Sequence, residues 1–561
     1  MYLRSTKRKN KDGSVVEYFQ LAHNERHPVT RKPVAKIIHN FGRTDQLDRE
    51  ELVRLCRSIA RVCDLTVVDP HDDDQDAKKI DAFLAEGLKI EQTVELGLVL
   101  AVEALWDKIG LRKTFCDIAR TTKQPMEYER ALLAMTANRL CSPESKLGVW
   151  DRWLDTVYLP SCQGLKLHHM YEAMDMLHAH AADVEKTVFF HVADLFNLEV
   201  DLIFYDTTTA SFTTDYEDDP DDPDATLRQF GHSKEGTWST QVVVALAVTR
   251  EGIPVRSWVL PGNTTDVNTI EQVRSDLKGW NLGRAMFVAD SGMNSEGNRS
   301  ELAKACGKYM LACRMANVAE IKRDVLSKRG RYTVFKDNLQ AKEVIVGDGV
   351  RRKRYILCFN PKEAERQQKH REEIVVLLER ELERHPKADA SAQWAIELLA
   401  SRRYKRYLKV TQSGLIRMDR GAIRNAAKYD GKWVLETNDD TISLEDAAMG
   451  YKGLMVIERC FRSLKRTQIK MTPMYHWLSR RIESHVKICV LALMIERLAE
   501  RSCGQPWSKI RRALKRLQVT NFFDLNHRVG LRNEISAETR NILKQLDIKP
   551  PKQLVHLEKT T

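Results

Sequence analysis

The sequence lacks several features that would identify the class of protein directly. Its eleven cysteines form no Cys-x-x-Cys pair and no cysteine–histidine spacing of the zinc-binding kind, which argues against a zinc-stapled fold. No uncharged stretch reaches the roughly 18 residues of a membrane helix, and VKICVLALMIERL, which contains Lys487, is predicted to be a buried amphipathic helix. The N-terminal MYLRSTKRKNKDG has no apolar run behind its charges, unlike a secretory signal. These absences predict a cytoplasmic protein with reduced cysteines.

Positive charge, by contrast, is in excess. The 561-residue chain has a formal net charge of +12, which favours a polyanionic partner without separating nucleic acid from a merely basic surface. Between Gly450 and Gln518 there are sixteen lysine and arginine residues against four glutamates, so the excess is concentrated there. The length is too great for one core and predicts roughly three or four domains.

The first 199 residues are predicted to form two regions. Residues 1–79 read as an arm: a two-stranded hairpin over residues 1–43, a helix over Asp45–Val62, and a linker around residues 67–79. Residues 80–199 are almost entirely helix-periodic and predict a helical DNA-binding domain with helix-turn-helix-like pieces. The alternative is a supporting helical domain that makes no base contacts.

From Val200 onwards, strands alternate with helices. Residues 200–315 and 431–500 predict a mixed α/β sheet with helices packed on it. Between them, residues 316–430 predict an insertion domain of antiparallel strands and a long charged helix that begins after Asn360-Pro361. Residues 501–561 read as a helical C-terminal tail.

Three carboxylates in remote parts of this region form the candidate site. Asp206 and Asp290 each end an apolar strand, and residues at the carboxyl ends of neighbouring strands point into the same crevice. If a helix with Glu458 packs across that edge, three oxygen donors converge without histidine or cysteine. Such a set suits two Mg²⁺ or Mn²⁺ ions, which can support phosphodiester displacement.

The helix with Glu458 has its own pattern. Tyr451, Leu454, Glu458, Phe461 and Lys465 follow one another at offsets of three and four, which predicts a single stripe on one helix with Glu458 midway. The plainer interpretation is a core-facing helix with an ordinary surface ion pair between Glu458 and Arg462.

The segments YDTTT, VADSGMNSEGN and Tyr-x6-Glu-x6-Lys together resemble the DDE transposases of bacterial insertion sequences, in the branch with a Tyr-Arg-Glu-Lys signature. The resemblance implies an RNase H-like catalytic domain, interrupted by a β-rich insertion and flanked by mostly helical N-terminal and C-terminal regions. It also implies that Asp206, Asp290 and Glu458 bind the metal ions.

The same resemblance implies DNA contacts on the third segment. Tyr451 and Lys465 would contact phosphates or the displaced strand. Leu454 departs from the signature because it stands where the family has arginine. Any phosphate contact from that position would have to come from Lys452, Arg459 or Arg462.

The combined expectation is a cut-and-paste transposase, nucleoid-associated in a bacterial cytoplasm. It would bind the terminal inverted repeats of its own element, cleave the ends by two-metal-ion hydrolysis and join the 3′-hydroxyl ends to target DNA. It would act on double-stranded DNA as a homodimer. Two alternatives are an RNase H-like endonuclease that cuts without joining and a non-catalytic DNA-binding regulator derived from a transposase. The complete triad argues against the regulator.

Overall fold

The computed structural model describes residues 2–10, 15–27, 33–44, 46–47, 49–63, 89–219, 221–277, 280, 285–305, 307–385, 389–524 and 527–559. The chain divides into two compact units. The first comprises residues 1–90, 522–528 and 558–561, and the second comprises residues 91–521 and 529–557. The predicted linker at residues 67–79 lies outside the described residues.

The secondary structure elements are numbered here in chain order. The strands are β1 (Tyr2–Lys9), β2 (Val15–Arg26), β3 (Pro33–Arg43), β4 (Lys89–Glu95), β5 (Leu202–Ser211), β6 (Gln229–His232), β7 (Trp238–Thr249), β8 (Pro254–Pro261), β9 (Met286–Ala289), β10 (Lys308–Cys313), β11 (Thr333–Lys336), β12 (Leu339–Val346), β13 (Lys353–Phe359), β14 (Leu408–Val410), β15 (Ile416–Met418), β16 (Lys432–Thr437), β17 (Gln518–Asp524), β18 (His527–Arg532) and β19 (Leu554–Lys559). The α-helices are α1 (Arg49–Val62), α2 (Gly97–Lys108), α3 (Leu111–Thr122), α4 (Glu127–Cys141), α5 (Lys146–Asp151), α6 (Leu167–Leu195), α7 (Thr269–Leu277), α8 (Glu296–Ala305), α9 (Pro361–Arg384), α10 (Gln393–Ala400), α11 (Arg402–Lys405), α12 (Arg420–Ala427), α13 (Leu444–Lys452), α14 (Met455–Arg462), α15 (Ser479–Cys503), α16 (Trp507–Leu514) and α17 (Ala537–Gln545).

The first unit contains an antiparallel sheet in the order β1-β2-β3, followed by α1. The two-stranded hairpin predicted for residues 1–43 is therefore wrong. The alternating segment VVEYFQLA pairs on both of its edges, with β1 on one side and with PVAKIIHNFG, a full third strand, on the other. The predicted helix is confirmed from Arg49 to Val62, but the described residues 46 and 47, which were predicted to belong to it, are not helical.

A ten-stranded mixed sheet organises the second unit. Its order is β11-β12-β13-β16-β10-β9-β5-β7-β6, and β8 also pairs with β7. The pairs β5–β9 and β9–β10 are parallel, whereas the other neighbours are antiparallel. Apolar residues line both faces of the central strands, because helices cover the sheet. The predicted mixed α/β architecture is confirmed.

Residues 316–430 contribute to this same sheet. The strands β11, β12 and β13 extend it, because β13 pairs with β16 from Arg354 to Phe359. The predicted long helix is confirmed as α9, whose N-terminus is capped by the Asn360 side chain accepting from the Glu363 amide. With α10 to α12 and the β14–β15 hairpin, α9 encloses a small separate core. The boundaries of an insertion domain stay a prediction.

Helix α15 is the central helix of the second unit. It packs against α4, α6 and β8, and most of its residues are buried. The predicted buried helix around Lys487 is thus confirmed, and its charge is compensated: the Lys487 ammonium donates to Glu185 Oε1 at 2.8 Å and to the Ser257 carbonyl at 2.6 Å. No helix among the described residues is both long enough and apolar enough to cross a membrane.

Residues 80–199 are not helical throughout. The segment Lys89–Glu95, predicted to begin a helix, is a strand, and the amides of Leu96 and Gly97 that follow it both donate to the Leu517 carbonyl at 3.0 Å. Helix α4 is buried along almost its whole length, so it has no face free to enter a DNA groove. For this helix the burial favours the supporting role.

The C-terminal region is also not a purely helical tail. It contains three strands, β17 to β19, which join β4 in a four-stranded sheet with the order β19-β18-β17-β4. The prediction failed because these strands are short and their partner is remote: Thr93 in β4 bonds with Thr520 in β17. The ten cysteines among the described residues form no disulfide, and most are buried.

Candidate active site

The candidate site lies at the end of β9, beyond which the neighbouring strand β5 continues. The parallel register pairs Tyr205 with Ala289, and each of these residues is followed by an aspartate, Asp206 or Asp290. Because side chains at matched positions of parallel strands point the same way, the two carboxylates lie side by side. The structure therefore brings together the first two of the three predicted carboxylates.

Strand β5 does not end at Asp206 as predicted. It runs on to Ser211, because β7 pairs with it along its full length, from Ile203–Thr249 to Ser211–Gln241. Only the edge that faces β9 loses its partner beyond Ala289. Asp290, by contrast, directly follows its strand as predicted. The uneven strand ends leave one edge of β5 free at the site.

The environment of Asp206 is electrostatically unusual. Burial raises the pKa of its carboxyl to about 6, and the nearby negative charges of Asp290 and Asp266 act in the same direction. A hydrogen bond of 2.7 Å from the Thr207 amide and the positive charge of Lys234 oppose this rise in pKa. The Thr207 amide and Lys234 thus offset only part of the rise in the pKa of Asp206.

Asp266 is a fourth acidic residue that the sequence analysis missed. It follows β8 in the segment GNTTD and begins a short 3-10 helix. Its carboxylate accepts from the Thr207 hydroxyl at 2.5 Å and from the Lys234 ammonium at 2.7 Å. A Cβ at Gly292 would lie 3.1 Å from its Oδ2, so Asp266 also approaches the loop after Asp290. The only signal in the sequence was an acidic residue in the loop that follows an apolar strand.

Tyr451 lies at the site but contacts a carboxylate. Its hydroxyl donates to Asp290 Oδ1 at 3.2 Å. Burial and the negative charge of Asp290 raise the pKa of Tyr451 well above its usual range, so the hydroxyl keeps its proton and remains a donor. The helix comes close enough because Gly450 and Gly453 have no side chains: a Cβ at Gly453 would lie 2.6 Å from Phe204 Cζ.

The single helix predicted for residues 451–465 is interrupted. Helix α13 ends at Lys452, α14 begins at Met455, and Ser463–Thr467 forms a π-helical turn. Tyr451, Glu458 and Lys465 consequently belong to three successive segments. Leu454 and Phe461 are buried, as predicted for the apolar members of the stripe. At the break, Gly453 packs so closely on Phe204 that a Cβ would not fit.

Glu458 is carried by α14, which packs against β5 and β7. Cys460 on the same helix donates to the Gly252 carbonyl at the β7–β8 turn. The Glu458 side chain is exposed. Within the described part of the chain, no three histidine, cysteine, aspartate or glutamate side chains are close enough to enclose a metal ion. Glu458 as the third ligand therefore stays a prediction.

The predicted DNA-contacting cations divide into two groups. Lys465 reaches the site: its ammonium lies 3.5 Å from Thr208 Oγ1, two residues after Asp206, and 3.1 Å from Glu235 Oε1. Glu235 also accepts from Arg466, a residue not predicted, and these two cations lower the pKa of Glu235. Arg459 and Arg462 are exposed, and Lys452 is half-buried.

The chemistry of these residues fits a divalent cation. Asp206 and Asp290 supply hard oxygen donors, which Mg²⁺ and Mn²⁺ prefer. Burial first, and then the charges of Asp290 and Asp266, disfavour the ionised form of Asp206, and a cation between the two carboxylates would favour it. Asp206 and Asp290 as metal ligands stay a prediction, as does Glu458.

Comparison with known protein families agrees with this geometry. A family model described as "Transposase DDE domain" matches residues 203–494, more than half of the chain and all of the site residues described above. A second model, described as "IS1634 family transposase, N-terminal domain", matches residues 3–70. No curated protein matches the chain.

Proposed function

The chain belongs to the transposase DDE domain family, and from that membership we propose that it moves its own insertion sequence by cleaving the element ends and joining them to target DNA. Family membership makes the protein a metal-dependent DNA transposase that acts on DNA. The proposal adds that it recognises terminal inverted repeats, hydrolyses the ends with two metal ions and transfers the 3′-hydroxyl ends.

The strand order supports an RNase H-like catalytic domain. Strands β8, β7 and β5 form an antiparallel meander, β9 pairs with β5 in parallel, and β10 pairs with β9 in parallel. The two aspartates lie on the first strand of this arrangement and directly after the first parallel neighbour. We take this as the scaffold on which Glu458 would complete the site from α14.

In the loaded enzyme, Mg²⁺ or Mn²⁺ held by Asp206, Asp290 and Glu458 would supply the charge that activates the attacking oxygen and stabilises the leaving oxygen. The residues around them have supporting roles. The Tyr451 hydroxyl fixes the Asp290 carboxylate, and the Thr207 amide fixes Asp206. Lys465, beside Thr208, would hold a phosphate of the DNA strand without reading its sequence.

One observation carries the proposal: Asp206 and Asp290 directly follow Tyr205 and Ala289, which are paired in two parallel strands inside the matched family region. Two element ends must be processed in a coordinated way, so we propose that a homodimer acts in the DNA complex. Joint processing of the two element ends also distinguishes a transposase from an endonuclease that only cuts.

The test is cleavage and strand transfer on a DNA duplex that ends in the inverted repeat of the element. Asp206→Asn, Asp290→Asn and Glu458→Gln are each expected to abolish cleavage in Mg²⁺ while DNA binding is retained. Asp155→Asn, a neutralised exposed carboxylate in the helical region, serves as the matched control and should cleave like the wild type. Undiminished cleavage in any of the three site variants contradicts the assignment of that residue.

The joining step is tested separately. Wild-type protein incubated with pre-cleaved ends and a supercoiled target plasmid is expected to give strand-transfer products in Mg²⁺. Cleavage without any joined product would favour the endonuclease alternative. Neither cleavage nor joining, together with specific binding, would favour the regulator.

A further inference from the structure

A second polar site lies outside the carboxylate cluster. A cavity of about 790 Å³ opens between the helical region and the chain that follows the π-helical turn. Its walls come from the end of α4, the start of α5, residues 470–478 and the start of α15, with Tyr171 of α6 on one side. The second unit alone contributes all of these residues.

The lining of this cavity is strongly basic. Among the described residues that line it are five lysine or arginine residues and one carboxylate, that of Glu144. Glu144 is already engaged, because its Oε2 accepts from Arg152 at 2.9 Å. The Arg481 guanidinium is engaged too, by Asp175 at 3.0 and 3.1 Å. The cationic groups left without a carboxylate partner among the described residues are those of Arg139, Lys146 and Lys470, which is exposed at the mouth.

The Lys146 side chain is buried, and no hydrogen bond within the described part of the chain compensates for its lost contact with water. Only 3% of the residue is exposed, and its ammonium has no hydrogen-bond partner in the described part of the chain. Arg139, equally buried, donates to the Lys470 and Glu144 carbonyls, but its Nε has no partner there either. Burial and the neighbouring Arg139 charge lower the pKa of Lys146 to about 7. Folded proteins rarely bury unpaired cations unless something binds them.

The mouth of the cavity adds flat aromatic surface. Tyr475 and Trp477 are 63% and 57% exposed, although large aromatic side chains are usually buried. The Arg228 guanidinium lies 4.1 Å from the centre of the Trp477 ring and holds its position. Phosphate-binding cations beside exposed aromatic rings are the combination that proteins use to hold single nucleotides of a DNA strand.

The cavity is close to the carboxylates along the chain. Lys465 contacts the strand of Asp206, and Lys470 at the cavity mouth follows only five residues later. Five residues span at most about 17 Å. The separation of Lys465 and Lys470 along the chain therefore corresponds to no more than about five nucleotides, at roughly 3.4 Å per nucleotide of a duplex strand.

We infer that this cavity binds a phosphate group of a DNA strand, a few nucleotides from the bond that is cut, with Lys146, Arg139 and Lys470 as its cationic partners. The inference rests on the proposed function only in taking DNA as the source of the phosphate. Tyr475 and Trp477 provide a surface for the attached nucleoside.

The first measurement uses the full-length protein in EDTA, so that binding is observed without cleavage. Lys146→Met removes the buried charge at nearly constant volume. It is expected to weaken binding of an element-end duplex about tenfold and to reduce the slope of log K against log salt by about one. Its melting temperature should equal or exceed that of the wild type, because an unpaired buried cation is lost. Lys544→Met, at an exposed lysine of α17, is the matched control.

A second variant keeps the inference testable if Lys146→Met does not fold. Lys470 is exposed and has a φ of +50°, a conformation that asparagine tolerates, so Lys470→Asn should fold normally. It should also weaken binding and reduce the salt slope. Unchanged affinity and slope in both variants, or in the one that folds, would overturn the inference.

The source of the phosphate is tested with inorganic pyrophosphate. If pyrophosphate raises the melting temperature of the wild type while Lys146→Met binds DNA normally, the site serves a free anion and the inference is wrong. Failure of this inference can be distinguished from failure of the proposed function. The cleavage assays of the Asp206, Asp290 and Glu458 variants do not depend on the DNA binding that is measured in EDTA.

Discussion

Asp206 illustrates how neighbouring residues decide what one side chain can do. Its carboxyl is held among like charges, and its raised pKa of about 6 follows first from burial and then from Asp290 and Asp266. Asp266 connects this cluster to Lys234, whose charge partly offsets the repulsion. The arrangement resembles a site prepared for a cation, because the repulsion is relieved when a positive ion enters.

Asp266→Asn tests whether the fourth carboxylate takes part. The variant removes a negative charge that raises the pKa of Asp206, so Asp206 should stay ionised to lower pH. At subsaturating Mg²⁺, where protons compete with the metal, the acid limb of the cleavage rate is expected to shift to lower pH. The rate at pH 8 should fall roughly tenfold, because the contact with the Thr207 hydroxyl is weakened. A pH–rate profile identical to that of the wild type would show that Asp266 is only structural.

Glu496 provides a test of stability away from the site. It is buried in α15 and accepts from Ser463 Oγ at 2.6 Å, and burial raises its pKa to about 7. A raised carboxyl pKa contributes stability that is fully present below the unfolded value of 4.5 and is lost as the pH rises through 7. Glu496→Gln is therefore expected to increase the free energy of unfolding at pH 8 by about 2 kcal/mol, and to change it little at pH 4.5.

Urea denaturation at the two pH values measures this difference. Glu373→Gln, at a 71% exposed position of α9, is the matched control and should show no pH-dependent gain. An equal effect of Glu496→Gln at both pH values would mean that folding does not shift the pKa of Glu496, contrary to the expectation.

At the scale of the element, the break between α13 and α14 places the predicted site residues Tyr451 and Glu458 on different helices. Tyr451, on α13, contacts Asp290, while Glu458 lies on α14, which packs on β5 and β7. An uninterrupted helix would hold both residues on one rigid stripe. With the break, the position of Glu458 depends on the packing of α14 itself, through Ile457 and Cys460, which are fully buried.

Gly453→Ala tests this break. The added methyl group would lie 2.6 Å from Phe204 Cζ and 2.9 Å from the Gly450 carbonyl oxygen, so the helix must move away from β5. The free energy of unfolding is expected to fall by about 2 kcal/mol, and cleavage should fall more than DNA binding. Gly297→Ala, where nothing lies within 4 Å of the added Cβ, is the control and should stabilise α8 slightly. Wild-type cleavage and stability in Gly453→Ala would contradict the assigned packing.

For the molecule as a whole, the ten-stranded sheet combines strands from both sides of residues 361–431. The strands β11 to β13 precede the long α9 segment, and β16 follows it, yet β13 and β16 are neighbours. The site therefore lies on one continuous sheet, and α15 packs against β8 on that sheet as well as against α4 and α6. A continuous sheet of this kind fits the proposal that two DNA ends are processed together.

The proposed homodimer is tested by measuring the mass of the DNA complex in Ca²⁺ or EDTA, where cleavage does not occur. With duplexes that end in the inverted repeat, the expected species contains two chains and two DNA ends. A duplex of scrambled sequence is the control and should give no species of that mass. Only one chain per DNA end at every protein concentration would contradict the dimer proposal.

Much of this architecture follows from local sequence patterns. The apolar runs before Asp206 and Asp290 predicted their strands, and Asn360-Pro361 predicted the start of α9, because caps and strand periodicity act over a few residues. The third strand of the N-terminal sheet and the strands of the C-terminal region were missed, since their partners are remote or their turns are ambiguous. The boundaries of the domains and the role of Glu458 remain predictions.

The sequence alone determined the three carboxylates, the order of strands and helices around them and the excess of positive charge, because each is a property of residue types and of their spacing. The tertiary structure decided the rest. It placed Asp266 beside Asp206, turned the Tyr451 hydroxyl to Asp290, divided the helix at Gly453 and left Lys146 unpaired beside a cavity. All four depend on contacts between segments far apart in the chain, which no local pattern records.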